Sequence, residues 1–246
     1  MKENAAAAAA GESGAGSHLR QAPLLIAVDG SAASGKTSVG LRLAERLGYR
    51  FLDTGIMYRA ITWSALQRGI DPHDAKELAR LASAIDMRVV LPLPGTDEAA
   101  RIRIDGIDVT DKLRSPEVDE AVSAVSQVAG VREALVRRQK EIAANGRIVM
   151  AGRDIGTVVL QKAPLKLYFD ASLEERAKRR HADFVQVGHE SSEEAVLEDL
   201  RRRDQIDSGR ELSPMKPADD AVVIDTDGMT MDEVLTRALA LAEGAA

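Results

Sequence analysis

Cysteine is absent from all 246 residues, which excludes disulfides, thiolate catalysis and cysteine-based zinc sites outright. The redox compartment stays open, although a cysteine-free chain fits a cytoplasmic enzyme. Aromatic residues are scarce, at 3%, so the stacking platforms of a single-stranded nucleic-acid binder are missing. Positive charge is outweighed as well. A formal net charge of −6 argues against a sequence-independent grip on nucleic acid, which needs a basic footprint. Any anion site must be a local gathering of arginines within an acidic protein. No apolar run approaches the ~20 residues that cross a bilayer, and no membrane partner is expected.

What is present suits one sizeable α/β core with an inserted subdomain. Apolar residues reach 45%, enough to bury a core made mainly of Leu, Val, Ile and Ala. Residues 1–22, with the run Ala5 to Ala10 and Glu3 ahead of it, lack the basic start and Leu-rich stretch of a signal peptide and read as a disordered tail. Leu24 to Asp29 is a short continuous apolar run, the pattern of a strand covered on both faces. Helices are expected over Lys36 to Leu47, from a cap at Asp53 or Thr54 to about Gln67, and over Lys76 to Ile85. The pattern then changes. Met87 to Leu91 and Arg101 to Val109 read as short strands, the second broken at Asp105-Gly106, and Ser115-Pro-Glu opens a helix with a break near Gly130. Alternation resumes with strands at Arg147 to Met150, Leu165 to Phe169 and Ala221 to Ile224. Helices between and after them start at Ser172, with Glu175 at capping-box spacing, at Glu193 and at Met231. Strands alternating with helices imply right-handed crossovers and a mainly parallel sheet.

Gly30-Ser-Ala-Ala-Ser-Gly35-Lys36-Thr37 fits G-x-x-x-x-G-K-[ST] completely, with a buried strand before it and a helix after it. Backbone N–H groups of such a loop converge on a polyphosphate at a helix N-terminus, whose partial positive charge favours it. Lys36 is expected to reach the β- and γ-phosphates, and the Thr37 hydroxyl to ligate Mg²⁺. The ATP-contacting set is Gly30, Ser31, Ala32, Ala33, Ser34, Gly35, Lys36, Thr37 and Ser38. The motif alone does not separate a kinase from a GTPase or motor ATPase, though the Asn-Lys-x-Asp guanine-reading motif is absent. Asp170 and Asp225 end apolar strands in imitation of a Walker B carboxylate, and we take both as plain strand-end residues.

Four further patches are unlike filler: Asp53-Thr-Gly-Ile-Met-Tyr-Arg59, Ser126-Gln-Val-Ala-Gly-Val-Arg132, Gly152-Arg-Asp-Ile-Gly-Thr157 and Arg203-Asp-Gln-Ile-Asp-Ser-Gly-Arg210. Singly, each has a bland reading. Arg59 and Arg132 could be solvated helix residues, Arg153 and Asp154 could pair with each other, and Arg201 to Arg203 could be an exposed face. Together with the phosphate loop, over about Leu24 to Ala242, they resemble the bacterial-type cytidylate kinase family, whose members phosphorylate CMP and dCMP from ATP. The resemblance implies a P-loop NTPase fold: a five-stranded parallel sheet flanked by helices, with an enlarged monophosphate-binding insert and a lid. It divides the chain into a core over 23–85 and 131–246, a lid at about 184–216 and an insert over 86–130. It also implies that Arg59, Arg153 and Arg210 hold the acceptor phosphate, with Lys36, Arg153 and Arg210 as the catalytic cations. Ser126, Arg132 and Asp154 would contact cytosine. Asp207, with Arg203 nearby, would meet the sugar, and Thr54 joins the acceptor set. The chain departs from the family in the short spacing from Ser126 to Arg132, in Ala151 where an acidic residue is common, and in Ile56 for a usual small residue.

No general base is required for such a transfer, because a phosphate monoester with a second pKa near ~6 is mostly deprotonated at neutral pH. The four histidines (18, 73, 181, 189) show no catalytic spacing and read as surface residues. A monomer acting in the cytoplasm on ATP and CMP or dCMP is the expectation. UMP, AMP or a small hydroxylated metabolite stay open as acceptors, and a nucleotide-dependent binding switch is the rival from another class.

Overall fold

Strand β1 (Leu25–Gly30) lies at the centre of a five-stranded sheet in the order β2, β6, β1, β7, β8. β2 spans Arg50–Asp53, β6 Ile148–Gly152, β7 Leu165–Asp170 and β8 Val222–Asp225, and every pairing is parallel. The computed structural model describes residues 25–245 apart from 95, 97, 187, 189 and 190. The expected tail, His18 and His189 lie outside the described residues.

Alternation along each strand sorts side chains to two apolar layers. Ile26, Val28, Val149, Ala151, Leu167 and Phe169 face helices α1 (Lys36–Leu47) and α8 (Met231–Gly244). Ala27, Leu52, Ile148 and Met150 face the other way, toward α2 (Gly55–Gln67), α3 (Ala75–Ala84) and α5 (Ala129–Ala143). Strands covered on both sides need apolar residues at nearly every position, which is why β1 reads as a continuous run.

The changed pattern after residue 86 becomes a separate antiparallel sheet of β3 (Met87–Val90), β4 (Arg101–Ile104) and β5 (Ile107–Asp108). Asp105 and Gly106 both have positive φ, 50° and 83°, as a two-residue turn matched to strand twist demands. Met87, Ile102 and Ile104 are buried, while Arg88, Arg101 and Arg103 face out. Helix α4 (Pro116–Gln127) follows.

The structure gives two local expectations their detail, and the break expected near Gly130 is present. The break between α4 and α5 falls at Val128, which is extended at φ −67° and ψ 117°. Gly130 lies in the first turn of α5, where a Cβ would stand 2.4 Å from that of Ala79. It packs closely on α3, two residues past the break itself. At the head of α6 (Leu173–Gln186) the Ser172 hydroxyl accepts from the Glu175 amide at 3.3 Å, but the Glu175 carboxylate pairs with Arg179 at 3.0 Å. Only half of the capping box forms: the Ser172 amide donates instead to Asp227 at 2.9 Å, and the i,i+4 partner Arg179 takes the carboxylate.

Helices α6 and α7 (Glu193–Ser208) form a hairpin whose Ala177, Val196 and Leu200 bury together with Ala32 of the phosphate loop. Gly30, Asp53 and Gly152 end β1, β2 and β6. The side chains of interest gather at these carboxyl ends, the usual location of ligands in open α/β sheets.

Candidate functional site

The phosphate loop turns as its sequence requires. Gly30 and Gly35 have φ of 148° and 86°, and a Cβ on Gly30 would sit 2.3 Å from the Phe169 carbonyl oxygen. Ala33 also takes a left-handed φ of 60°, an uncommon choice for a residue with a side chain. The loop meets α1 at Gly35, and Lys36 is buried with its Nζ donating to the Ser31 carbonyl at 2.8 Å. Burial first, and then the Arg153 charge, pull the Lys36 pKa down to about 7, against the partial support of Asp53 and Asp207. The Oγ atoms of Ser31 and Ser34 are buried without a hydrogen-bond partner. Ser38 is exposed.

At the loop's far side the Thr37 hydroxyl donates to Asp53 Oδ2 at 2.7 Å, while Asp53 Oδ1 accepts from the Gly55 amide at 2.9 Å. Thr54 is buried and donates to the Ala151 carbonyl at 3.0 Å. Hydroxyl and carboxylate oxygens form the hard-donor set that suits Mg²⁺, which normally keeps several waters and leans on substrate phosphates. Among the described residues no group of three or more His, Asp or Glu could hold a metal by itself.

Most of the residues expected on the acceptor side join in one connected chain. Arg153 donates from one terminal nitrogen to the Gly30 carbonyl at 3.1 Å and from Nε to Asp207 Oδ2 at 2.8 Å. Asp207 Oδ1 accepts from Arg210, whose same terminal nitrogen also donates to Ser126 Oγ at 3.0 Å. The Ser126 carbonyl accepts from Arg132 at 3.1 Å, and Arg132 pairs with Asp154 Oδ2. Arg132 also stacks over the Tyr58 ring, 5.5 Å from its centroid. Burial would raise the Asp207 pKa, yet Arg153 and Arg210 outweigh it and hold the carboxyl below its usual range. Arg153 is raised above its ordinary value: burial works against its charge, but the Asp207 carboxylate prevails.

Arg59 and Arg203 stand beside this chain without a hydrogen bond into it. Arg59 donates to the Leu113 carbonyl at 3.0 Å and to Asp119 at 2.5 Å, and Arg203 lies 3.8 Å from Asp199. Burial, followed by the Arg153 and Arg59 charges, lowers the Arg203 pKa. Three arginines from α2, β6's exit and α7 therefore feel one another.

Several bland readings fail on this geometry. Arg153 and Asp154 pair elsewhere, not with each other, and Arg203 turns inward while Arg201 and Arg202 make surface pairs along α7. The short spacing from Ser126 to Arg132 does not separate them. His73 is exposed, and His181 contacts the Ser191 carbonyl at 3.0 Å. Asp170 and Asp225 cap the amides of Ala171 and Asp227, as strand-end residues do.

Sequence reading gave Asp29 and Arg176 no place in the site and took Asp53 only as a candidate helix cap opening a patch. Asp29 is 3% exposed, and Arg176 bonds the Ala171 and Ala32 carbonyls and, at 2.6 Å, Asp204. Asp29 was visible as an acid ending an apolar run, the very signal considered at Asp170 and Asp225, whereas the short strand Arg50–Asp53 was not read from the sequence. Nothing in the sequence distinguished Arg176 from its neighbours on a charged helix.

With the site assembled, comparison with known proteins decides the family. The cytidylate kinase family model matches residues 26–244. The chain belongs to the cytidylate kinase family. The cytidylate kinase of Bacillus licheniformis is 45% identical over 222 residues, which cover 89% of this chain and 96% of that protein. That of Geobacillus sp. is 45% identical, covering 86% and 93%, and that of Bacillus subtilis is 41% identical, covering 89% and 96%. A gluconokinase structure from Sinorhizobium meliloti 1021 is a distant match, at 17% identity and a TM-score of 0.48, covering 91% of this chain and 93% of that one. No helix among the described residues is long and apolar enough to cross a membrane.

Proposed function

We propose that the chain transfers the γ-phosphoryl group of ATP to CMP or dCMP, giving ADP and CDP or dCDP. Membership of the cytidylate kinase family supports this, and one observation carries it at the level of residues. Arg153 links the Gly30 carbonyl of the phosphate loop to Asp207, and through it to Arg210, Ser126, Arg132 and Asp154. Donor and acceptor machinery are thus one network.

Physical need explains the arginines. Two phosphates repel by about 1 kcal/mol per unit-charge pair at ~4 Å in water, but by about 4 kcal/mol at an effective dielectric near 20. A site that excludes water must balance this with fixed cations, and the guanidinium fork matches phosphate oxygens. Lys36 and the loop amides hold the donor. Arg59, Arg153 and Arg210 hold the acceptor phosphate, with Arg203 adding charge and Asp207 meeting the sugar. Arg132 and Arg210 each have a buried Nε without a partner, so both retain donor capacity for a ligand. The unpartnered Ser31 and Ser34 hydroxyls fit a polyphosphate in the same way. Thr37 and Asp53 would hold Mg²⁺, which, when bound, neutralises charge on the phosphates.

Base choice falls to Asp154 and Arg132. An ionised Asp154 accepts from the cytosine amino group, whereas uracil offers a carbonyl there, and buried polar mismatches are strongly rejected. Ser126 has its hydroxyl engaged by the Ser123 carbonyl and Arg210, so its part is to orient the two arginines as well as to meet the ring. Residues 86–130 act as the acceptor-binding insert and about 184–216 as the lid, since Ser126 comes from the first and Asp207 and Arg210 from the second. We take the enzyme to act as a monomer that meets its nucleotide substrates in the cytoplasm. The test is ADP release with Mg²⁺ and ATP over CMP, dCMP, UMP, AMP and no acceptor. Stimulation by CMP and dCMP is expected. Preference for another acceptor, or none above the control, overturns the reading.

A further inference from the structure

Asp29 is the last side chain before the phosphate loop, and no step above uses it. It is 3% exposed, a costly place for a carboxylate unless bonds compensate. Its two oxygens accept from consecutive backbone amides across the sheet: Oδ1 from Ile155 and Oδ2 from Gly156, each at 2.7 Å. Those amides open a π-helical turn, Ile155–Val159, and lie directly after Arg153 and Asp154. The next residue along, Gly30, accepts from Arg153 through its carbonyl at 3.1 Å. Residues 29 and 30 therefore grip segment 153–156 at three points.

We infer that Asp29 is a positioning residue that fixes the acceptor groups Arg153 and Asp154 at a set distance from the ATP loop. The assignment rests on the reading of Arg153 and Asp154 given above. A phosphoryl transfer works by placement, so the separation between the two phosphates is the quantity that matters. Here it is set by adjacent residues of one strand: Asp29 holds the acceptor segment while Gly30 begins the loop that cradles the donor. Gly156 is part of the same fit, since a Cβ there would stand 3.3 Å from Asp29 Oδ2 and 3.2 Å from the Lys166 side chain.

Charged and titratable neighbours face Asp29 on each side. Lys36 stands at the head of α1, Asp154 in the turn, and Tyr168 opposite it on β7. Lys166 is beyond Gly156. Burial raises the Asp29 pKa to about 6, opposed by the two amides. Ionised, it accepts from both. Protonated, it turns an O–H toward one of them and loosens the grip.

Two variants and two readouts test this. Asp29→Asn keeps the volume but faces one amide with an NH₂ group, and Gly156→Ala keeps the carboxylate but crowds it. In both, with rates normalised to folded protein, kcat/KM for CMP should fall by about 10²-fold, as misplacement of ~1 Å can cause, with the KM for ATP within about threefold. Preference for CMP over UMP should fall in parallel. In ligand-free wild type, the Ile155 and Gly156 amide resonances should titrate together with a midpoint near pH 6, and in Asp29→Asn they should not. Losses shared equally between ATP and CMP, or amides indifferent to Asp29→Asn, overturn the inference. If wild type does not phosphorylate CMP, the proposed function falls, and the amide readout still decides the anchor.

Discussion

Lys36 should take up a proton when ATP binds. Burial and the Arg153 charge hold it near 7 rather than its ordinary 10.5 in the ligand-free chain. Bound phosphates replace a dry, cationic surrounding with negative charge and return it toward the ordinary value. At pH 8 the free chain then carries a proton on only about a tenth of its Lys36 side chains, so binding should absorb about 0.9 proton, falling to about 0.1 at pH 6. Calorimetry of MgATP binding, without acceptor, reads this as the slope of observed enthalpy against buffer ionisation enthalpy. Lys36→Met should abolish the slope. A slope near zero at pH 8, or one that survives in Lys36→Met, refutes the reasoning. The depression has a second consequence of definite sign. Between pH about 7 and 10.5 the unfolded chain binds a proton at Lys36 that the folded one does not, so this group makes the ligand-free fold more stable as pH rises through that window.

Arg210→Ala should lower turnover by about 10²-fold or more, because a cation aimed at transferring phosphate is removed; steady-state kinetics showing only a few-fold change would take Arg210 out of the site. Asp154→Asn should erode the CMP over UMP preference by at least about tenfold. It should also cost about 3 kcal/mol in urea unfolding, since Arg132, at 4% exposure, keeps its charge without a counter-ion. An unchanged acceptor ratio would remove Asp154 from base reading. Gly30→Ala should destabilise the fold by about 2–3 kcal/mol and abolish MgATP binding, because its Cβ would meet the Phe169 carbonyl at 2.3 Å. A thermal melt and calorimetric titration matching wild type would contradict that geometry.

Elements with strong local signals were legible from residues alone. The run ending in Asp29, the glycines of the phosphate loop and the Asp105-Gly106 turn each constrain the backbone by themselves. Local signals misled where a distant partner intervened. The break expected near Gly130 does occur, at Val128, while the missing side chain at Gly130 answers to α3. Glu175 had capping-box spacing, but Asp227 took the Ser172 amide and Arg179, one turn on, took the carboxylate.

Sequence by itself determined the chemistry available: a phosphate loop with its lysine, a set of arginines too deliberate for an acidic chain, and two aspartates among them. Those properties live in short stretches and in composition, where side-chain type and spacing suffice. Tertiary structure alone decided the partnerships. Asp207 lies between Arg153 and Arg210, Asp154 answers Arg132 rather than its neighbour Arg153, and Asp29 reaches the amides of Ile155 and Gly156. The physical reason is that each carboxylate could be buried only where a cation or amide pair from another segment met it. Parallel pairing of β1 with β6 brings Asp29 to amides more than a hundred residues away, and helix packing closes the shorter separations, which no local pattern encodes.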